Sequence, residues 1–344
     1  MSFDSVGTAA ARGASKLDLS LALADNENTR PLLDGDVTAQ GIRFLPTAVH
    51  PSEMFWRQLK FRDFDVSEMS MSSFIISTSK GAKDWTAIPV FTSREFYHTR
   101  IIVRADANIR VPADLRGKRV GVPEYQQTAA IWGRAALASE FGVKPSEIEW
   151  FMERNPEKSH GGATAFKAPE GVTVHQIPPT KNIGEMLLNG ELDATLLYLA
   201  NRNLVDRSRV DLLSDSRVRY LFADRAAEGR RYYAKTHLYP INHTLVIRRE
   251  LLEKHPWIAL NVYHAFAAAR AEVIARGRAY LRSYEEIGTL GEEAKQALAV
   301  DPMAYGIRAN RLVLETICRS VHEQGLTSRL VGLDEIFAAS ALEV

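Results

Sequence analysis

The chain offers nine histidines, one cysteine and a near balance of 43 basic and 42 acidic side chains from which to build a reactive site. Their spacing narrows the chemistry. No two histidines stand in a His-x-His or His-x-x-x-His pair, a frequent nucleus of catalytic zinc sites. No metal ligands are therefore assigned and no cofactor is expected; a divalent ion held by scattered carboxylates and histidines is the alternative. Cys318 stands alone among Leu312, Leu314, Ile317 and Val321, which reads as a small buried hydrophobe. A Gly-x-Ser-x-Gly elbow, a phosphate loop and a Gly-x-Gly-x-x-Gly dinucleotide turn are all missing. What remains suits proton transfer and the holding of anions. His243 and His98 each stand beside an expected strand, and an imidazole titrating near neutrality suits proton donation; a hydrogen-bonded structural histidine is the other reading of both. Arg94 follows the end of an expected strand, where its guanidinium would grip a carboxylate through two hydrogen bonds or pair with Glu95. Ser72 and Ser73 open a helix directly after a strand, as an anion site or as caps. Tyr125, Gln126 and Thr128 open a second helix, with Glu124 before them as a base or as favourable charge at the helix start. His160 lies in a polar loop, His255 caps a helix before Pro256, and His50, His175, His237, His264 and His322 carry no signal.

The elements that must position these residues follow from pattern and punctuation. Residues 17–23 alternate apolar and polar side chains and read as a strand, as do 41–49. Pro51-Ser52-Glu53 opens a helix with an early proline and a first-turn carboxylate. Residues 64–67 give a short strand, 72–80 a helix, and 86–91 and 99–103 further strands. A buried strand ends at Val122, 126–141 is an amphipathic helix closed by Gly142, 149–152 is a strand, and 155–171 is a long polar loop. Strands at 172–177 and 192–197 flank a helix at 183–188, and 217–222 reads as another strand. A strand at 244–247 leads to a break at His255-Pro256, followed by helices over 257–280, 292–298 and 309–324. Strands alternating with helices imply an α/β fold with a mostly parallel sheet. Residues 1–15 read as a flexible tail.

A length of 344 residues with 46% hydrophobic content suggests two domains. The net charge of +1 and the lack of a basic stripe argue against a nucleic-acid partner and for a small molecule. No apolar run approaches the ~20 residues of a membrane span. Asp4, Arg12 and Lys16 interrupt the apolar stretch that an export signal needs. A cytoplasmic protein without a membrane partner is expected, and the long C-terminal helices offer a surface for a homo-oligomer.

Four stretches carry a more specific signal. They are Phe64-Asp65-Val66-Ser67-Glu68-Met69-Ser70-Met71-Ser72-Ser73, Ile88-Pro89-Val90-Phe91-Thr92-Ser93-Arg94-Glu95-Phe96-Tyr97-His98, Val122-Pro123-Glu124-Tyr125-Gln126-Gln127-Thr128-Ala129, and Tyr239-Pro240-Ile241-Asn242-His243-Thr244 with Arg248-Arg249 and His255-Pro256-Trp257. In this order and spacing the chain resembles the 4,5-dihydroxyphthalate decarboxylase family over roughly residues 17–285. Leu115-Arg116-Gly117-Lys118-Arg119-Val120-Gly121-Val122 and Leu187-Leu188-Asn189-Gly190-Glu191-Leu192-Asp193-Ala194 are similar to stretches of type-2 periplasmic-binding folds. The resemblance implies the two-lobed clamp of that fold, each lobe a mixed, mostly parallel sheet flanked by helices. The chain would cross between lobes twice, with residues 16–104 and 243–344 in lobe 1 and 105–242 in lobe 2. The ligand, a small aromatic carboxylate, would lie in the inter-lobe cleft.

The resemblance also implies a cytoplasmic enzyme and a reaction. Loss of CO2 from a hydroxylated phthalate requires protonation of the ring carbon, because a free aryl carbanion is too unstable to form. Such a site needs an acid, a base near the ring hydroxyls and a cationic holder for the retained carboxylate. On that reading His243 is the general acid, His98 the second candidate, Glu124 the base and Arg94 the carboxylate holder. Ser72, Ser73, Tyr125, Gln126, Thr128 and Asn242 are the substrate contacts. The rivals are a non-catalytic binding protein for an aromatic or heterocyclic acid, and a hydrolase or isomerase on the same clamp.

Overall fold

The computed structural model describes residues 16–344; the tail expected over residues 1–15 lies outside them. The first lobe begins with β1 (Leu17–Leu23), α1 (Arg30–Leu33), β2 (Ile42–Ala48), α2 (Pro51–Phe61), β3 (Val66–Ser70), α3 (Met71–Ser79) and β4 (Trp85–Arg94). The chain crosses through a 3-10 turn at Tyr97–Arg100 into the second lobe. There it forms β5 (Ile102–Arg104), β6 (Arg119–Val122), α4 (Thr128–Phe141), β7 (Glu149–Met152), α5 (His160–Ala163), β8 (Val174–Gln176), α6 (Ile183–Leu188), β9 (Ala194–Thr195), β10 (Val218–Tyr220) and α7 (Arg225–Thr236). It returns as β11 (Ile241–Arg248) and continues through α8 (Arg249–Lys254), α9 (Ile258–Glu286), α10 (Glu292–Leu298), α11 (Ile307–Glu323) and α12 (Leu333–Ile336).

The two sheets are built alike. The first has the order β2-β1-β3-β11-β4, with β1 parallel to β2 and β3, and with the returning β11 antiparallel between β3 and β4. The second has the order β10-β5-β9-β6-β7-β8; β9, β6, β7 and β8 run parallel, while β5 and β10 are antiparallel additions. Each lobe is thus a mixed sheet with flanking helices, the architecture of a two-lobed α/β clamp.

Apolar spacing explains the packing. Ile258, Val262, Phe266 and Ala269 recur every three or four residues on α9 and cover Leu19, Leu21, Val66, Leu245 and Ile247 of the first sheet. A larger core joins Phe74 and Ile75 of α3, Ile131 and Trp132 of α4, and Leu314, Ile317 and Val321 of α11. Cys318 is buried in that core as a small hydrophobe. Helix α11 therefore touches both lobes. The Trp132 indole adds a 2.8 Å hydrogen bond to the carbonyl of Ile241 at the second crossing.

Three stretches differ from the pattern-based reading. Residues 97–100 coil instead of starting a strand, because the backbone N–H and hydroxyl of Thr99 both turn back to the carbonyl of Phe96, at 3.0 and 2.8 Å. The loop at 155–171 contains α5, capped by Ser159, whose hydroxyl accepts from the Gly162 N–H at 2.8 Å. Helix α7 is an addition: its sequence is too polar for a clear apolar stripe, but Asp224 caps it by accepting from the Ala227 N–H at 2.8 Å. Among the described residues, no helix is long and apolar enough to cross a membrane.

Candidate active site

The first wall of the cleft belongs to lobe 1. Strand β3 is buried along its whole length, and Glu68 sits in its middle with no exposed surface. Burying a carboxylate is costly unless donors surround it, and three do. The Ala24 N–H donates at 2.7 Å, the Thr92 hydroxyl at 2.6 Å, and Nδ1 of His243 lies 2.8 Å from Oε2. His243 lies on β11 where the pairing with β4 shifts register on both sides of it. Irregularities of this kind re-aim a side chain out of the regular ladder. With Nδ1–H donating to Glu68, the lone pair of Nε2 accepts from the Asn242 side-chain amide at 2.9 Å. The edge of Phe55 on α2 flanks the imidazole, with ring centroids 4.7 Å apart and planes at 82°.

The second wall belongs to lobe 2 and is an ion network. Arg154 donates from Nη1 to Glu124 at 2.9 Å and from Nε to Asp206 at 2.7 Å, all three side chains being buried. Its Nη2 reaches across the cleft to the Ser52 hydroxyl at 2.5 Å. Burial alone would lower the guanidinium's pKa, but Asp206 and Glu124 together hold it above its ordinary value. Glu124 also receives the backbone N–H groups of His160, at 3.2 Å, and of Gly161. Gly162 has no room for a side chain, since a Cβ there would stand 1.7 Å from the carbonyl of Pro156. The His160 ring bridges the lobes: Nδ1 lies 3.1 Å from the Ser73 hydroxyl and Nε2 3.5 Å from Arg154. Burial pushes its pKa down to about 4 against the pull of Glu124, so the imidazole is neutral.

Between these walls lies a cavity of about 190 Å³. His243, Asn242, Ser70 and Ser93 face it from lobe 1, His50 and Phe55 from α2 and its cap, and Gln127, Thr128, Arg154 and His160 from lobe 2. Glu95, Tyr97 and Arg100 of the first crossing and Leu197 and Leu199 of lobe 2 also line it, and Glu95 pairs with Arg100 at 2.9 Å. The lobes are drawn together above the cavity. Thr128 hydroxyl accepts from the Ser72 N–H at 2.9 Å and lies 2.9 Å from the Ser70 hydroxyl, while the Ser72 hydroxyl donates to the carbonyl of Gln126 at 2.6 Å. Among the described residues, no three His, Cys, Asp or Glu side chains are grouped to hold a metal ion.

A curated protein from Comamonas testosteroni named 4,5-dihydroxyphthalate decarboxylase is 35% identical over 332 residues, 96% of this chain and 98% of that one. The chain belongs to the 4,5-dihydroxyphthalate decarboxylase family. A second protein of that name, from Pseudomonas putida, is 40% identical over 181 residues, covering 53% of this chain and 70% of its own length. Residues 53–166 match a family model described as an ABC transporter, phosphonate, periplasmic substrate-binding protein. Two solved structures share the fold. The periplasmic aliphatic sulphonate binding protein SsuA from Escherichia coli superposes with a TM-score of 0.54 at 14% identity, over 94% of this chain and 92% of its own. The alkanesulfonate-binding protein SsuA from Xanthomonas axonopodis pv. citri, bound to MOPS, does so with a TM-score of 0.54 at 15% identity, over 96% and 99%. This chain thus has the periplasmic-binding-protein clamp.

Of the residues singled out from the sequence of this decarboxylase family member, His243, Asn242 and Thr128 face the cavity. The others lie elsewhere, for physical reasons. Glu124 is consumed by Arg154 and two backbone donors, leaving no free oxygen for a base. Ser72 and Ser73 spend their polar groups on the opposite lobe, and Gln126 spends its amide on Thr164 and Ser73. Tyr125 is fully buried under the guanidinium of Arg134, 3.7 Å from its ring centre. His98 is buried against Tyr232 and 3.0 Å from Glu228, and burial lowers its pKa. Arg94 turns away from the cleft to Asn310 and the carbonyl of Ala304, at 2.6 and 2.9 Å. Sequence reasoning missed Glu68, Arg100, Arg154, His50 and His160. Glu68 lies just past the strand expected at 64–67, and the polar sequence Val66-Ser67-Glu68-Met69-Ser70 does not announce that this strand is buried along its length.

Proposed function

We propose that this protein decarboxylates a hydroxylated aromatic dicarboxylate, with 4,5-dihydroxyphthalate as substrate and 3,4-dihydroxybenzoate and CO2 as products. The observation that carries the reading is the Glu68–His243 pair opening onto the inter-lobe cavity in a chain of this family. Glu68 fixes the imidazole with Nε2 toward the cavity and offers a counter-charge to the imidazolium. When Nε2 takes up a proton the Asn242 N–H gives way, and the protonated Nε2 then delivers that proton to the carboxyl-bearing ring carbon. The hydroxyl para to that carbon, once deprotonated, pushes electron density onto it. The ring C–H bond forms, the C–C bond to the carboxylate breaks with its electrons returning to the ring, and CO2 leaves. One proton is consumed overall and comes from solvent through His243.

Anion-binding groups lie opposite. Thr128 and Ala129 begin α4, where backbone N–H groups lack intrahelical partners. Arg100 supplies a cation that shares its charge with Glu95. These would hold the retained carboxylate, with Asn242 and Ser93 beside the ring substituents. His243 and Asn242 keep the roles that the family pattern implies, and the carboxylate-holding role passes from Arg94 to Arg100 with α4. We place the enzyme in the cytoplasm, which fractionation of cells expressing it would test. The decisive experiment is incubation of purified protein with 4,5-dihydroxyphthalate, with and without divalent metal. Release of CO2 with formation of 3,4-dihydroxybenzoate is expected. Tight binding without consumption would instead make the chain a binding protein.

A further inference from the structure

A second, larger cavity of about 610 Å³ lies behind the hinge, between β4, α7 and the α10–α11 segment. Its lining includes Arg94, Arg225 and Arg230 against a single carboxylate, Asp301, and Asp301 is itself bound to Arg270. Arg225 is turned to Glu95, at 3.4 Å, and to the carbonyl of Thr99, which leaves Arg94 and Arg230 as the cations without a carboxylate. Arg94 is largely buried, yet its partners are two carbonyls and the Asn310 amide oxygen, and its Nε is buried with no acceptor. Among the described residues no carboxylate pairs with Arg94 or Arg230. A buried cation without a counter-ion is costly, and burial lowers the pKa of Arg94 to about 10. The catalytic cavity is different: its buried Arg154 has two carboxylates of its own.

Most of the remaining lining is aromatic or apolar, with His237 and Asn310 as its further polar side chains. Phe96 and Tyr239 stand with centroids 5.0 Å apart, and Tyr233 lies on the same wall. A partly open, largely apolar cleft of several hundred Å³ with a few convergent polar groups is the form of a small-molecule site. We propose that this cavity is a second ligand site, for an aromatic carboxylate whose ring packs against Phe96, Tyr233 and Tyr239 and whose charge meets Arg230. The inference does not depend on catalysis in the cleft.

Phthalate is the probe, because it has the ring and the carboxylates but lacks the hydroxyl that decarboxylation needs. Calorimetry of the full chain with phthalate is compared with Arg230→Glu and Val300→Trp, one reversing charge and the other filling the cavity. Both side chains are exposed, Val300 at 68%, so neither change touches the core. The expected result is a phthalate-binding event, apart from any at the anion-binding groups of the cleft, that both variants weaken at least about tenfold, the scale of a lost charge-assisted contact. No binding by the unaltered chain, or every binding event kept at its original affinity in either variant, overturns the proposal.

Discussion

Each lobe brings a histidine to the cavity, and beside each stands a buried glutamate, but the two arrangements are opposites. On the lobe 1 side, Glu68 meets one ring nitrogen of His243 and the other nitrogen faces the cavity with only the Asn242 amide on it. On the lobe 2 side, Glu124 is spent on Arg154 and the backbone of the glycine-rich turn, and both nitrogens of His160 have neighbours, Ser73 and Arg154. A group that must exchange protons with a ligand needs one free site and one fixed site. A group that must hold two lobes together needs both fixed. On the proposed mechanism the lobe 1 wall carries the chemistry and the lobe 2 wall the closure.

The sharpest way to break that division is His243→Ala. General acid catalysis is worth about 10²–10⁴ in rate, so turnover of 4,5-dihydroxyphthalate by the folded variant should fall by that factor in a steady-state assay, alongside a loss of stability because buried Glu68 gives up one of its three donors. An unchanged turnover would move the acid to the other wall.

Arg154→Met tests the opposite wall. It removes the cation while leaving Glu124 and Asp206 buried, and breaking a buried pair in this way costs about 3–5 kcal/mol. Denaturant unfolding should show the loss directly. If stability barely changed, the network would not be what holds the lobes closed.

The fold was legible because its signals are local. Alternation over 17–23, the proline and glutamate at the start of α2, and Gly142 at the end of α4 each mark a boundary by their own chemistry. His243 and Asn242 were legible for a similar reason, since the family pattern fixes them beside the crossing strand. The lobe 2 wall was not, because Glu124, Arg154, His160 and Asp206 are separated by up to 82 residues and their function is mutual neutralisation. Nothing in the neighbourhood of Arg154 announces that it will be buried. Arg94 misled for the complementary reason: β4 runs on past the expected end at residue 91, and its last side chain, Arg94, leaves on the face away from the cleft, toward α11.

A pH series sharpens the comparison further. His160 is held neutral by burial down to about pH 4, whereas an unfolded histidine titrates near 6.5. Between those values the unfolded chain binds the additional proton, so stability is complete above about pH 6.5 and is lost as the pH falls toward 4. His50 and His98 are also lowered by burial and act in the same direction. Chemical denaturation from pH 7 to 4.5 should show the decline, and His160→Asn should flatten part of it. An identical slope in the variant would mean that His160 titrates as it does in the unfolded chain.

The smallest effect expected is also the most specific to the lobe 1 wall. Thr92→Val keeps the shape of the side chain but removes the 2.6 Å hydrogen bond to Glu68 Oε2, leaving the carboxylate with Ala24 N–H and His243. A single buried hydrogen bond contributes about 1 kcal/mol. Thr92 does not line the cavity, so substrate affinity has no direct reason to change. The role of Thr92 is to position Glu68, and through it the imidazole. We expect kcat to fall about two- to fivefold with KM unchanged, a loss of roughly 0.5–1 kcal/mol in the transition state. A purely structural threonine would lower the melting temperature and leave kcat alone, so the ratio of the two effects decides whether the Glu68 side of the pair is tuned for proton transfer or merely satisfied.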